Sequence, residues 1–148
     1  MLILVLFQLL SFVNFSKAEY YKIISGNDVV LMNKMMEKIN ESDNNPDKMA
    51  YLGALKMRKS VFLKTPKDRL LLFKEGKNLL ETAISKNIEN PEYRFLRLLI
   101  QENAPSFLKY NLNIKEDVNM LLLNSQNLPI GVKGAFLDYS KTSPALKK

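Results

Sequence analysis

The chain has no cysteine and no histidine in 148 residues. Without histidine it lacks the side chain that titrates near neutrality and serves most often as a general base, and without either residue nearly all zinc and haem ligation is gone. Serine–histidine and cysteine–histidine catalysis are excluded with them. So is any disulfide, and an exported form of this chain is expected not to be a lipoprotein, which needs a cysteine at its processing site. Carboxylate pairs remain. Glu116 and Asp117 are adjacent, which on a helix turns them about 100° apart, and Glu75 and Glu81 read as solvated surface. No phosphate loop is present, because Gly131-Val132-Lys133-Gly134 lacks the Lys-Ser/Thr that should follow. Asp43, Asn45 and Asp47 open like a calcium loop, but Lys48 and Ala54 stand where glycine and a bidentate glutamate are required. No cofactor is expected, and a carboxylate-dependent enzyme is left only as groups assembled by tertiary folding.

What the chain does hold is an ordinary globular composition, 47% apolar and 25% charged, at the length of one domain. Only four of its 22 basic residues are arginine. A lysine and asparagine bias of this kind follows AT-rich codons, so the net charge of +7 is a modest functional signal.

Residues 1–15 form an apolar run interrupted by Gln8, Ser11 and Asn14, too short to span a bilayer, which takes roughly twenty helical residues. The run resembles a secretory signal peptide. Ser16-Lys17-Ala18 places small residues at the positions a signal peptidase reads, so cleavage is expected before Glu19, although no basic residue precedes the run. The resemblance implies a secreted or periplasmic chain with residues 1–18 removed, one domain over 19–140 and a flexible basic tail over 141–148.

Helix grammar is written most plainly at three prolines. Asn45-Pro46, Thr65-Pro66 and Asn90-Pro91 each put a capping side chain before a proline, with Asp47, Asp68 and Glu92 in the first turn. Further helices are expected from near Asn27, with Ser25 or Asn27 as cap, from Ile114 behind Asn113 and Glu116, and from Pro129. Met32, Met35, Met36 and Met49 lie in apolar stripes and read as core rather than as a flexible binding groove. Gly53 in mid-helix costs about 1 kcal/mol relative to alanine, which a close helix crossing would justify.

Leu52-Gly53, followed by Gly76, Leu80 and Ala83, resembles the first and second helices of a tetratricopeptide repeat. Asn45-Pro46 returns as Asn90-Pro91 and Phe62-Leu63-Lys64 as Phe107-Leu108-Lys109, both at one offset, across residues 46–110. The second unit departs from the pattern at Arg94 and Arg97. The resemblance implies an all-α stack of antiparallel helix hairpins without a sheet, whose first helices, 46–57 and 91–102, line a partner surface.

Two groups of residues are candidate sites. Arg94 and Arg97 share a helix face one turn apart; either Glu102, Glu89 or a neighbouring helix pairs with them internally, or with Tyr93 and Tyr51 they anchor a partner. Lys56, Arg58, Lys59, Lys64, Lys67 and Arg69 form a basic edge opposed only by Asp68. Such an edge is either a solvated helix end and loop or a surface for anionic lipid, nucleic acid or an acidic partner, and the lack of interleaved aromatics argues against single-stranded nucleic acid. The functional expectation is a non-catalytic protein-binding or scaffold module of the cell envelope, with association through the basic surface as the alternative.

Overall fold

The computed structural model describes residues 15–40 and 45–147. The apolar run expected to be a leader lies outside them up to Asn14. Among the described residues are seven α-helices and no strand: α1 (Lys17–Ser25), α2 (Val29–Asn40), α3 (Pro46–Ser60), α4 (Pro66–Lys86), α5 (Pro91–Asn103), α6 (Ile114–Asn124) and α7 (Ile130–Ser140). The all-α class is as expected, and the arrangement is compatible with a helical-repeat fold. None of these helices is long and apolar enough to cross a membrane.

The three cap-and-proline starts form as read. Asn45 Oδ1 accepts from Lys48 N at 2.9 Å, Thr65 Oγ1 from Asp68 N at 3.1 Å and Asn90 Oδ1 from Glu92 N at 3.0 Å. Each satisfies one backbone donor that the first helical turn leaves open. Elsewhere the local reading is corrected. The cap of α2 is Asp28, which accepts from Leu31 N at 3.1 Å, rather than Ser25 or Asn27. Asn113 makes no cap bond, because its amide donates to Glu116 at 3.2 Å. Helix α1 was not expected at all, and it runs across the boundary drawn between residues 18 and 19.

α3 packs most extensively on α4, and the two glycines explain how closely. A Cβ on Gly53 would lie 2.6 Å from Gly76 O and 2.7 Å from Leu80 N, and one on Gly76 would overlap Gly53 O. Only hydrogen fits on either side, so the backbones touch directly. The Met32 and Met35 side chains are buried in the core, as the apolar stripe implied.

α5 is the central helix, with every residue from Glu92 to Gln101 buried. α1 lies against it through Tyr21, whose ring stacks on Phe95 at 5.2 Å, while Tyr20 donates to Tyr51 O at 2.7 Å. α7 packs beside α1 and reaches α5 with Phe136 edge-on to Phe95 at 5.4 Å. The segment after α7 is docked rather than free: Ser143 is buried and donates to Glu102 Oε2 at 2.7 Å, and Ala145 N donates to Glu102 Oε1 at 2.8 Å. A carboxylate with donors to offer it holds this end of the chain down, which the sequence reading of a flexible 141–148 did not foresee.

Candidate functional site

Burial of α5 on every side decides the fate of its arginines. Arg97 grips Asp117 with two parallel bonds, Nε to Oδ2 at 2.8 Å and Nη2 to Oδ1 at 2.7 Å, and reaches Glu81 through Nη1 at 2.9 Å. Arg94 Nη1 donates to Glu116 at 2.8 Å and to Asp117 at 3.3 Å, and its Nη2 donates to Ile88 O at 3.2 Å. Gln101 adds a fourth donor to Asp117 at 2.7 Å, and Tyr110 donates to Glu81 at 2.6 Å. Burial opposes the charge of Arg97, but the hydrogen bonds and charge of Asp117, with Glu81 behind it, hold the guanidinium above its ordinary pKa. Burial and the Glu81 carboxylate push Tyr110 up as well.

These contacts replace the expected partner groove. The carboxylates are Glu81, Glu116 and Asp117, from α4 and α6, not Glu102 or Glu89. Glu116 and Asp117 converge on one guanidinium despite their angular separation, since glutamate is one methylene longer. Glu81 is drawn inward rather than solvated. Arg94 Nε is the one buried side-chain nitrogen or oxygen without a partner among the described residues, a cost of about 1–3 kcal/mol that the network tolerates.

Tyr93 and Tyr51, the expected aromatic anchors, are also spent inside. The Tyr93 hydroxyl donates to Asp47 and that of Tyr51 to Glu92, which also accepts from Tyr21 at 3.1 Å and pairs with Lys17 at 2.8 Å. Burial, then the neighbouring carboxylates, raise both hydroxyls well above the ordinary tyrosine value.

The basic edge divides. Lys56 pairs with Glu75 at 3.1 Å. Arg58 turns back to the end of α1, donating to Ile24 O at 3.2 Å and Gly26 O at 2.8 Å, and burial lowers its pKa. Arg69 Nε holds Leu63 O at 2.5 Å, fixing the loop to the helix that follows it. Lys59, Lys64 and Lys67 make no ion pair among the described residues.

What the sequence reading missed is the shape of this edge. Pro66 to Leu71 are six successive exposed residues. A helix turns once in about 3.6 residues, so every face of the first turn and a half of α4 is uncovered. α4 outlasts α3 and overhangs the body. Leu70 and Leu71 are 40% and 51% exposed on this overhang, beside Lys67 and Arg69, with Lys64 in the loop and Phe62 under the Arg58 guanidinium at 5.0 Å. The clue was Leu70-Leu71-Leu72-Phe73, four apolar residues in a row, which a single helix face cannot hold.

Among the described residues no cluster of acidic, histidine or cysteine side chains is placed to hold a metal ion. Comparison with protein-family models, with curated proteins and with solved structures found no match to this chain.

Proposed function

We propose that this protein is a non-catalytic attachment module that docks on anionic membrane surfaces through the α3–α4 overhang. The observation that carries the reading is the run of six exposed residues at the start of α4, where two leucines stand among unpaired cations. An anionic bilayer contributes about 1 kcal/mol for each lysine or arginine near its surface, and burying a leucine contributes about 1.5–3 kcal/mol. Leu70 and Leu71 are already about half-buried and Asp68 offsets one cation, so Lys64, Lys67, Arg69 and the two leucines together reach roughly 4 kcal/mol. That is enough for reversible attachment and far from permanent insertion. A protein partner fits less well, because the overhang is convex and carries no tyrosine or tryptophan anchor. Single-stranded nucleic acid fits less well again, since Phe62, with Arg58 over its ring, has no second aromatic side chain beside it on which successive bases could stack.

The rest of the chain is the scaffold in this reading, a short tetratricopeptide-like stack that holds the overhang clear of the body. Export by the apolar run at residues 1–15 belongs to the same proposal and brings the edge to an envelope membrane.

Vesicle cosedimentation tests it. Binding to phosphatidylglycerol vesicles, absent with phosphatidylcholine and weakened by salt, is expected for the native chain. Lys64→Gln/Lys67→Gln/Arg69→Gln should abolish it and Leu70→Ser/Leu71→Ser should weaken it. A native chain that ignores anionic vesicles, or that prefers single-stranded DNA to them, ends the membrane reading.

A further inference from the structure

A second feature lies on the body itself, where the C-terminal ends of α1, α3, α5 and α7 meet around a cleft of about 290 Å³. Its buried apolar wall is Ile24, Met57, Phe73, Leu99 and Ile100, and its polar side chains include Arg58, Asn103 and Tyr139. Arg58 is the only charged residue in the lining. At roughly 30 Å³ for each water-sized unit the volume holds about ten heavy atoms.

Four helix ends would by themselves favour a cation, but many of the carbonyls around the cleft already accept hydrogen bonds. Ile24 O and Gly26 O accept from Arg58, and Ile23 O accepts from Gly26 N. At the end of α3, Phe62 N, Leu63 N and Ser60 Oγ bond to Lys59, Ser60 and Met57 carbonyls. Ala104 N and Asn103 Nδ2 do the same for Ile100 O and Leu99 O, and Thr142 N and Ser143 N for Tyr139 O. Glu102, behind Tyr139, is taken by Tyr139, Ser143 and Ala145. What is left over is positive. The Arg58 guanidinium is fixed through Nε and Nη2, and its Nη1 has no partner among the described residues.

We infer that this cleft binds a short aliphatic carboxylate, its charged end on Arg58 Nη1 and its chain along Met57, Phe73, Leu99 and Ile100. The wall supplies a dry surface for the chain, and a fixed guanidinium supplies a charge-assisted hydrogen bond with little ordering cost. The inference stands apart from the membrane reading, since none of Lys64, Lys67, Leu70 or Leu71 lines the cleft.

Calorimetry and thermal melting of the full chain with octanoate, octan-1-ol and octylamine test it. Octanoate should bind saturably at one site and raise the melting temperature, with the alcohol and the amine at least tenfold weaker. Arg58→Gln should lose at least tenfold in octanoate affinity. Leu99→Trp, which enlarges a wall residue of this cleft alone and leaves Arg58 and its bonds to α1 in place, should lose binding even if Arg58→Gln does not fold. Leu70→Ser/Leu71→Ser should bind octanoate as the native chain does, whatever happens with vesicles. No saturable octanoate binding, equal binding of octylamine or octan-1-ol, or octanoate binding that survives Leu99→Trp overturns the inference.

Discussion

α4 and α5 open in the same way, with a capping residue, a proline and an acid in the first turn, and both carry arginine and leucine in the next two turns. Their surroundings are opposite. Six successive residues of α4 face solvent, whereas ten successive residues of α5 are buried. Cations on the first remain available to a ligand, and cations on the second are consumed by Asp117, Glu116 and Glu81. A guanidinium that enters a core must bring its carboxylates with it, because an unpaired buried charge costs several kcal/mol. The comparison teaches that position among the helices, not local sequence, left similar residues as an exposed edge in one helix and a structural lock in the other.

Breaking the lock should give the largest effect. Arg94→Ala/Arg97→Ala leaves Asp117 buried with Gln101 as its one side-chain donor, and Asp117→Ala leaves two arginines facing one another's charge. Each should cost about 3–5 kcal/mol, read as a large fall in melting temperature. Melting within a degree or two of the native chain would show that the network carries little.

The glycine contact between α3 and α4 comes next. Gly76→Ala gains about 1 kcal/mol of helix propensity but forces two backbones apart, and overpacking of this kind costs about 1–3 kcal/mol. A net loss in denaturant midpoint is expected, larger than for Gly134→Ala, where a Cβ meets nothing within 4 Å. Equal behaviour of the two variants would mean that the crossing is looser than described.

Cutting before Glu19 should be milder. It removes Lys17 from Glu92 and Phe15 from Tyr51, whose rings lie 5.2 Å apart, while Tyr21 and Tyr51 still donate to the carboxylate. A loss of about 1–3 kcal/mol is expected in a chain starting at Glu19 relative to one starting at Phe15. Mass spectrometry of the protein from its native source would show whether residues 1–18 are removed.

The pH dependence separates the rim of the lock from its interior. The Asn113 hydrogen bond, helped by Arg94 and opposed by slight burial, lowers the Glu116 pKa below 4.5. Its contribution is therefore complete above that value and is lost as pH falls through the lower folded one. Glu116→Gln should flatten the acid limb of a stability profile slightly, the side chain being 57% exposed. Tyr110 shifts the other way, so the unfolded chain releases its proton first and stability should fall as pH rises above about 10. Tyr110→Phe should reduce that alkaline loss, and an unchanged profile would place the hydroxyl outside the network.

The smallest stability effect belongs to the overhang. Lys64→Gln and Lys67→Gln should stay within about 0.5 kcal/mol of the native chain, and a larger loss would show that these lysines are not free.

The sequence by itself determined the helices that begin at Pro46, Pro66 and Pro91, because a capping side chain and a proline act on neighbouring backbone and need nothing distant. It also pointed to the Gly53 crossing and the buried methionines, since a glycine in mid-helix and an apolar stripe have few other uses. α1 escaped because Ser16, Lys17 and Ala18, its cap and first two residues, read as a cleavage site and the seven that follow are too few to show a helical period. Asp117 carried a faint sign, standing on the same face as the buried Leu121, but nothing local says that Arg94 and Arg97 are its partners. Only the tertiary structure decided which charges are enclosed, that α4 extends past its neighbour, and that four helix ends leave a cleft beside Arg58. Those outcomes depend on which helices lie next to one another, and burial is a property of the neighbour as much as of the residue.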